Sequence, residues 1–349
     1  MNYKKNYNKQ TILITGAAGF IGAALSQYLL RNGENVIGLD NLNDYYDTNL
    51  KRERINQIEN SKLNSNGKWK FYKDSLENLY SLEKIFDENK PSIVVNLAAQ
   101  AGVRYSIENP QAYIQSNLVG FSNLIDLCRN YGIEHFLYAS SSSVYGGNVK
   151  MPFSEKIGVD HPVSLYGATK RANELIAHSY SSLYSLPSTG VRFFTVYGPW
   201  GRPDMALFLF TKAIIEGKPI KIFNNGEMIR DFTYIDDIII SLEKLLNKPP
   251  IKNKSFDYLN PHPDESWAPH AIYNIGNSCP IPLLKYVEEL EKALGLNAVK
   301  EYLPMQSGDV KATFSDTSKL EKFINYKPKT SIKNGISKFV RWYRNYYKV

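Results

Sequence analysis

Two side chains suited to proton transfer stand four residues apart near the middle of the chain. Tyr166 and Lys170 delimit the segment Tyr-Gly-Ala-Thr-Lys. Residues four apart share one face of a helix, so the phenol and the ammonium would be neighbours. The cation would lower the pKa of the phenol toward working pH, which suits a general base that takes a proton from an alcohol and later returns it. Exposed helix pairs show the same spacing, so its weight depends on other motifs.

A run of four serines precedes this pair. Residues 140–143 follow an apolar segment, 135–139, and come before Val144-Tyr145-Gly146. The apolar segment predicts a buried strand that ends at the serines, and ligands of open α/β sheets bind at the carboxyl ends of the strands. Hydroxyl groups at that edge would either hold a ligand or simply form a turn.

A glycine-rich loop close to the start of the chain favours the first of these alternatives. Thr15-Gly16-Ala17-Ala18-Gly19-Phe20-Ile21-Gly22 follows a predicted strand and opens a predicted helix. Such glycines permit a tight turn and the close approach of a pyrophosphate to a helix N-terminus. Asp40, eighteen residues past Gly22, ends the next strand and would bind the adenosine ribose hydroxyls. Its charge would repel a 2′-phosphate, so the motif predicts NAD rather than NADP.

The elements that must position these residues alternate between strands and helices. The predicted buried strands span 11–15, 35–39, 69–73, 92–97, 135–139 and 188–194. Amphipathic stretches separate them, one of which carries Ile114, Leu118, Phe121, Ile125 and Cys128 at helical spacing. This alternation predicts an α/β fold, a doubly wound parallel sheet with helices on both faces.

Polar residues at the predicted strand ends extend the candidate site. Asn41, Asn43, Asp74, Ser75 and Gln100 lie at or near such ends, where each could equally be a cap or a turn residue. After Tyr197 the pattern changes to a turn-rich segment, 198–203, followed by shorter and mixed elements. This change predicts a domain boundary.

Composition excludes several classes of protein. The chain has 349 residues, 43% of them hydrophobic and 22% charged, as in globular proteins. Its formal net charge of +8 is distributed without a Lys/Arg block, so small anions suit it as well as nucleic acid does. Two cysteines, Cys128 and Cys279, and no CxxC pair argue against a disulfide scaffold and a cysteine zinc site. Residues 1–10 are polar, no apolar run approaches about 18 residues, and we expect a cytoplasmic protein without a membrane span or a metal site.

Longer strings resemble a known family. The glycine loop, Asp40, Asn96-Leu97-Ala98-Ala99-Gln100, the Ser–Tyr–Lys set and residues 230–237 resemble extended short-chain dehydrogenases that act on nucleotide sugars. Within that group, residues 41–47, 98–106 and 193–205 resemble the UDP-glucuronate 4-epimerases specifically. The resemblance covers nearly the whole chain. The glycine loop and the Tyr–Lys pair are shared across the superfamily, whereas the longer strings discriminate.

The resemblance implies two domains and a tightly held NAD. Residues 1–197 would form the NAD-binding Rossmann domain, with 231–260 and 271–277 returning to it. Residues 198–230 and 278–349 would form a smaller, discontinuous mixed α/β substrate domain. It also implies a homodimer built from helices near 112–129 and 166–184. The expected cofactor contacts are Gly16, Gly19, Phe20, Ile21, Gly22, Asp40, Asn41, Asn43, Asp74, Ser75, Leu97, Ala98, Ala99, Gln100, Asn117, Ser140, Tyr166, Lys170 and Phe193.

The implied reaction is C4 epimerisation of a UDP-hexuronic acid. Tyr166, with Lys170 and Ser141, would take the O4 proton while NAD accepts the C4 hydride, and the 4-keto sugar would turn over before reduction. Where related dehydratases and decarboxylases have carboxylates, this chain has Ser142 and Ser143, which favours a uronate. The expected substrate contacts are Arg104, Ser141, Ser142, Ser143, Thr195, Arg202, Met205, Lys221, Phe223, Arg230, Gln306 and Asp309.

Several alternatives stay open at this stage. Phe223 would stack on uracil or serve as a core aromatic, and Ser307 stands where the family often has proline. The substrate could instead be UDP-glucose or UDP-N-acetylglucosamine. A non-enzymatic NAD-sensing regulator is disfavoured because both Tyr166 and Lys170 are present. Nucleic-acid binding rests on charge alone, since no basic stripe with interleaved aromatics is found.

Overall fold

The computed structural model describes residues 9–63, 65–306 and 308–349. The predicted polar start, at residues 1–8, and Ser307 lie outside the described residues. Among those described, seven strands form one parallel sheet in the order β3-β2-β1-β4-β5-β6-β10. The strands are β1 (Thr11–Thr15), β2 (Asn35–Asp40), β3 (Trp69–Lys73), β4 (Ile93–Asn96), β5 (His135–Ser141), β6 (Ser188–Phe193) and β10 (His270–Ile275).

This sheet confirms the predicted doubly wound fold. All four residues of β4 and all six of β6 are buried, as expected of strands covered by helices on both faces. The strand order reverses direction between β1 and β4, which places a crevice at their carboxyl ends. The predicted strands agree with the observed ones to within two residues at each end. The largest difference is in β5, which continues through Ser140 and Ser141.

Helices cover both faces of the sheet and fill the remainder of the chain. They are α1 (Phe20–Arg31), α2 (Thr48–Lys62), α3 (Leu79–Asn89), α4 (Tyr105–Glu108), α5 (Pro110–Tyr113), α6 (Gly120–Asn130), α7 (Leu165–Tyr184), α8 (Ala206–Ile215), α9 (Ile235–Leu246), α10 (Leu283–Leu294), α11 (Ser318–Ile324) and α12 (Ile332–Tyr347). Helix α9 packs against α1, and the two helices belong to one hydrophobic core.

The apolar stripe predicted from Ile114 to Cys128 is not one regular α-helix. Ile114–Val119 forms a π-helical turn, and α6 begins only at Gly120. The wider turn changes which side chains face inward, so Asn117 is the buried residue of this segment. Phe121, Ile125 and Cys128 are buried in the core formed by the sheet and its helices.

Smaller sheets accompany the large one. Strands β7 (Thr195–Tyr197), β9 (Ile229–Tyr234) and β11 (Pro280–Pro282) form a mixed sheet, and β8 (Ile220–Ile222) pairs with β12 (Lys300–Tyr302). Between these segments the chain returns to the large sheet as β10, next to β6. The domain boundaries assigned from the sequence stay a prediction. No helix of the described residues has the length and apolarity needed to cross a membrane.

A buried ion pair joins α7 to the sheet. Arg192 on β6 donates from Nε and Nη2 to the two carboxylate oxygens of Glu174, at 2.8 and 2.9 Å, and both side chains are fully buried. Ser140 donates to Glu174 at 2.6 Å, which brings the end of β5 into the same network. Glu174 lies four residues after Lys170, so the ion pair holds the helix face that carries the candidate catalytic residues.

We expect Glu174→Gln to destabilise the fold strongly. The substitution leaves the buried Arg192 guanidinium without a compensating charge, and breaking a buried ion pair costs about 3–5 kcal/mol. Urea denaturation should show a loss of that order in the free energy of unfolding.

Glu88→Gln serves as the matched control. Glu88 pairs with Lys70 at 2.8 Å on the exposed surface, where water solvates both charges, and its loss should change stability far less. Equal losses in the two variants would show that the Glu174–Arg192 pair does not hold α7.

Candidate active site

A cleft of about 810 Å³ opens at the carboxyl edge of the large sheet. Its walls include the glycine loop, the ends of β2, β4 and β5, the start of α7, and loops from the segments around the small sheets. It brings together every site residue predicted from the sequence except Asn117 and Gln306. Residues separated by almost three hundred positions, from Gly16 to Asp309, therefore share one cavity.

The glycine loop packs too tightly for larger residues. Gly16 has a φ of +70°, and a Cβ there would lie 2.7 Å from the backbone nitrogen of Ala98. A Cβ on Gly22 would lie 2.1 Å from the Gly16 carbonyl oxygen. Gly19 caps α1 without any side-chain hydrogen bond, so amide groups of the first turn stay available for an anion. This cradle fits the pyrophosphate of a dinucleotide.

Asp40 lies at the end of β2, on the cleft side of the glycine loop. Its carboxylate accepts hydrogen bonds from the amides of Ala18, at 3.0 Å, and Leu42, at 2.8 Å. Burial raises the pKa of Asp40, while these amides and the Lys51 ammonium act against the rise. The position suits the predicted contact with ribose hydroxyls.

Lys51 is a cleft residue that the sequence reasoning missed. It lies on α2, where a lysine among polar residues is typical of a solvated face, yet it is buried and lines the cleft. Its Nζ donates to both the backbone oxygen and the Oδ1 of Asn43, at 2.6 Å each. Lys51 therefore organises the loop that follows β2.

Asn117 lies behind the cleft wall rather than in it. Its side chain accepts from the Gln100 amide at 2.8 Å and donates to the Gln100 carbonyl at 3.1 Å. It also donates to Thr169 on α7. The π-helical turn thus turns Asn117 toward the loop after β4, where it supports Gln100, instead of toward the cavity.

Tyr166 and Lys170 occupy one wall of the cleft. Burial lowers the pKa of Lys170 to about 8, and its Nζ donates to the Ala139 carbonyl at 2.8 Å. Burial also raises the pKa of Tyr166, and the groups that counter this rise are the Ser141 hydroxyl and the Arg202 cation. The sequence assigned the lowering to Lys170, whereas in the folded chain Arg202 supplies the nearby positive charge.

The four serines have separate roles in the structure. Ser140 uses its hydroxyl on the buried Glu174. Ser141 donates to the Ser143 hydroxyl and accepts from the Ser143 amide, both at 3.1 Å, which closes the short 3-10 turn Ser142–Tyr145. The hydroxyl-bearing residues at positions 141–143 line the cleft on the same side as Tyr166.

Arg202 projects from the loop 198–205 and is held by Asp204. The guanidinium Nε donates to Oδ1 of Asp204 at 3.0 Å, and Nη2 donates to Oδ2. Tyr45, from the loop after β2, donates to the same Oδ2 at 3.1 Å. Tyr45 and Asp204 stand within the strings that resemble the epimerases, but only their contacts in the fold show what they do.

The opposite wall carries aromatic and basic residues. Arg104 pairs with Asp309 at 3.0 Å and lies over the Phe223 ring, 5.0 Å from its centroid. Arg230 donates to the carbonyl oxygens of Ile229 and Lys311 at 3.0 and 3.1 Å, and burial lowers its pKa. Phe223 lines the cleft and packs against the core, so both interpretations from the sequence describe it. Gln306 lies outside the cleft lining, and its Oε1 is buried without a partner among the described residues.

Comparison with known proteins agrees with this arrangement. The CapI protein of Staphylococcus aureus is 52% identical over 337 residues, which cover 97% of this chain and 99% of that protein. UDP-glucuronate 4-epimerase 2 of Arabidopsis thaliana is 45% identical, over 98% of this chain and 77% of that protein. The crystal structure of UDP-glucuronic acid 4-epimerase from Bacillus cereus, in complex with UDP-glucuronic acid and NAD, superposes with a TM-score of 0.84 at 33% identity, covering 97% of this chain and 100% of that one.

The family assignment follows from a match over most of the chain. The model of the NAD dependent epimerase/dehydratase family matches residues 12–258, from the first strand of the large sheet to beyond α9. This span includes the glycine loop, Tyr166, Lys170 and Arg202. The chain therefore belongs to the NAD dependent epimerase/dehydratase family.

Proposed function

We propose that this chain epimerises a UDP-hexuronic acid at C4, converting UDP-glucuronate to UDP-galacturonate with NAD. The observation that carries the proposal is the shared cleft, in which Tyr166, the glycine cradle, three serine hydroxyls and the Arg202 guanidinium meet. The epimerases of Arabidopsis and Bacillus cereus described above support the same activity. Proton transfer, cofactor and carboxylate recognition then lie within one cavity.

The cofactor would lie along the carboxyl edge of the large sheet. Residues of the glycine loop would hold its pyrophosphate, and Asp40 would bind the adenosine ribose. Loop residues at the strand ends would complete the site: Asn41, Asn43, Asp74, Ser75, Leu97, Ala98, Ala99, Gln100, Ser140 and Phe193. When bound, NAD supplies a hydride acceptor that is regenerated in each turnover.

Tyr166 performs the proton transfer in this proposal. The phenol takes the proton from the O4 hydroxyl as the C4 hydride departs, and returns it when the hydride comes back to the opposite face. Ser141 shares the O4 hydrogen bond, and its hydroxyl also acts against the raised pKa of Tyr166. The Arg202 cation acts in the same direction, which favours the phenolate during the reaction.

The sugar carboxylate would bind between the serines and Arg202. Ser142, Ser143 and Thr195 present hydroxyl groups in the cleft, and Arg202 adds a planar cation suited to a carboxylate. A carboxylate at positions 142 or 143 would repel the uronate and would supply an additional proton-transfer group. This chain has neither, so the site favours a uronate over UDP-glucose or UDP-N-acetylglucosamine.

The second wall would hold the UDP moiety. Arg230 and Arg104 would bind the diphosphate, Phe223 and the backbone beside Lys221 would pack on uracil, and Met205 would close the cavity. Asp309 would accept from the uridine ribose, with Gln306 behind it. The Arg104–Asp309 pair already joins the two sides of this wall.

A homodimer completes the proposal. Helices α6 and α7 pack side by side and leave apolar residues exposed, among them Val119, Leu175, Leu183 and Tyr184, with Leu183 68% exposed. A pair of such helices from each subunit would form a four-helix bundle and remove these side chains from water. A cytoplasmic location and a role in polysaccharide synthesis stay predictions of the sequence.

Tyr166→Phe should abolish epimerisation while retaining the fold. A positioned general base contributes about 10²–10⁴-fold to rate, so kcat with UDP-glucuronate should fall by that order with little change in circular dichroism or NAD content. Product formation without added reductant is the measurement, made by chromatography of the sugar nucleotides. Turnover that survives the substitution would assign the base elsewhere, and conversion of UDP-glucose in preference to UDP-glucuronate by the parent protein would favour the alternative substrate.

Ser142→Ala or Ser143→Ala should let some intermediate lose CO₂. The 4-keto uronate is a β-keto acid, which decarboxylates when its C5–carboxylate bond stands perpendicular to the ketone plane, and the serine hydroxyls would hold the bond away from that geometry. We expect UDP-pentose beside UDP-galacturonate in chromatograms of these variants. Ser337→Ala, at an exposed serine on α12, is the control, and a product ratio equal to the control's would count against this role.

Leu175→Glu with Leu183→Glu should convert the dimer to a monomer. Both leucines are exposed on one face of α7, so the charges would be buried only if that face is covered by a second copy. Light scattering coupled to size exclusion would report half the parent's mass. Leu63→Glu, at an 80%-exposed leucine after α2, should leave the mass unchanged. A monomeric parent protein would contradict the proposal.

A further inference from the structure

Three side chains form a hydrogen-bonded chain across one corner of the cleft. Tyr45 comes from the loop after β2, and Arg202 and Asp204 come from the loop 198–205 that precedes α8. Tyr45 and Arg202 both donate to the Asp204 carboxylate, from opposite sides. We call these residues the Tyr45–Asp204–Arg202 chain. All three line the cleft, so the chain fixes groups that face the substrate space.

Asp204 holds Arg202 without using all of its donors. The carboxylate takes one hydrogen bond from Nε and one from Nη2. A guanidinium has five N–H donors, so three are not used by Asp204. The planar fork fixes the orientation of those three, which is what a bound carboxylate would require. Burial works against the charge of Arg202, yet Asp204 raises the pKa of Arg202 above its ordinary value, so the cation persists.

The backbone of this loop is fixed independently by Arg54. This fully buried arginine of α2 donates to the Trp200 carbonyl from Nε and Nη2, at 3.1 and 2.7 Å, and to the Gly201 carbonyl at 3.1 Å. The main chain next to Arg202 therefore keeps its place without Asp204. Asp204 and Tyr45 have only the orientation of the guanidinium left to determine.

The environment of Tyr45 directs its hydroxyl at Asp204. The ring packs against Tyr105, with centroids 4.9 Å apart, and against Tyr46 at 6.1 Å. Gly102 makes room for the hydroxyl, because a Cβ there would lie 2.5 Å from Tyr45 Oη. Burial, together with the Asp204 charge, raises the pKa of Tyr45 to about 12, so the phenol stays a donor at neutral pH.

We propose that Tyr45 and Asp204 are positioning residues that orient Arg202 toward the sugar carboxylate and so keep the 4-keto intermediate from losing CO₂. The inference rests on the proposed function and assigns it a specificity determinant outside the serines. In the side reaction, the C5–carboxylate bond breaks, its electron pair forms the enolate of the ketone, and CO₂ leaves. A proton then adds at C5, and the stored hydride reduces the 4-keto pentose. A guanidinium held in one orientation keeps the carboxylate out of the perpendicular geometry that this step needs.

The test compares Tyr45→Phe, Asp204→Asn and the double variant in the full-length protein. Tyr45→Phe keeps the ring and removes the hydroxyl, and Asp204→Asn removes the charge with little change of shape. A hydrogen bond to a charged group governs a free energy that corresponds to about a 10-fold ratio. We expect each variant to raise the ratio of UDP-pentose to UDP-galacturonate by about 10-fold. The double variant should show nearly the same ratio as the single ones, because one chain of contacts is broken in each case.

A second Tyr–Asp hydrogen bond on the surface supplies matched controls. Tyr131 donates to Asp87 at 2.7 Å, outside the cleft lining. Tyr131→Phe and Asp87→Asn should leave the product ratio and KM at the parent values. Circular dichroism and NAD content are checked in all variants, and Tyr45→Phe carries the test if Asp204→Asn fails to fold.

The outcomes separate the inference from the function on which it rests. A parent protein that epimerises UDP-glucuronate, with variants that also do so at an unchanged product ratio, would overturn the positioning role and leave the function intact. A purely structural effect would lower the total turnover of the variants without raising the pentose fraction, which also overturns it. A parent that leaves UDP-glucuronate unconverted would remove the proposed function and the inference together.

Discussion

The buried ion pair between Glu174 and Arg192 is the interaction on which the arrangement of the site depends. Tyr166, Lys170 and Glu174 stand at intervals of four on α7, so one face of the helix carries the candidate base, the cation and the anchor. Arg192 ties that face to β6, and Ser140 ties it to the end of β5. A helix held only by apolar contacts could slide or rotate slightly against the sheet. A bidentate pair has a single preferred geometry and therefore sets the register of the phenol above the strand ends.

The far side of the cleft is joined to the large sheet by polar links rather than by a continuous core alone. Arg54 reaches the loop 198–205, Tyr45 reaches Asp204, and Arg104 reaches Asp309. Each link runs between a segment before Tyr113 and one after Tyr197. A substrate that bridges the two walls would thus meet groups whose positions are already set, which lowers the cost of orienting it.

Local motifs could be predicted from the sequence because their physics is local. Gly16, Gly19 and Gly22 are required by a turn that contacts its own strand and helix, and the strands are continuous buried runs whose pattern needs no partner to be recognised. The Tyr166–Lys170 pair depends only on helical spacing. Less local features were missed. The π-helical turn at Ile114–Val119 preserves an apolar pattern typical of an α-helix while it turns Asn117 toward Gln100. Lys51 reads as a surface residue until the loop after β2 folds over it.

The sequence by itself determined the class of the fold, the dinucleotide motif and the residues that can exchange a proton, because spacing along one strand, one turn or one helix is enough to specify them. Only the tertiary structure decided which charge acts on that proton. Burial raises the pKa of Tyr166 and lowers that of Lys170, and the cation that counters the rise is Arg202, thirty-six positions away in the sequence. Desolvation and Coulomb interactions depend on distance through space and on the exclusion of water, and neither quantity is encoded in the separation of two residues along a chain.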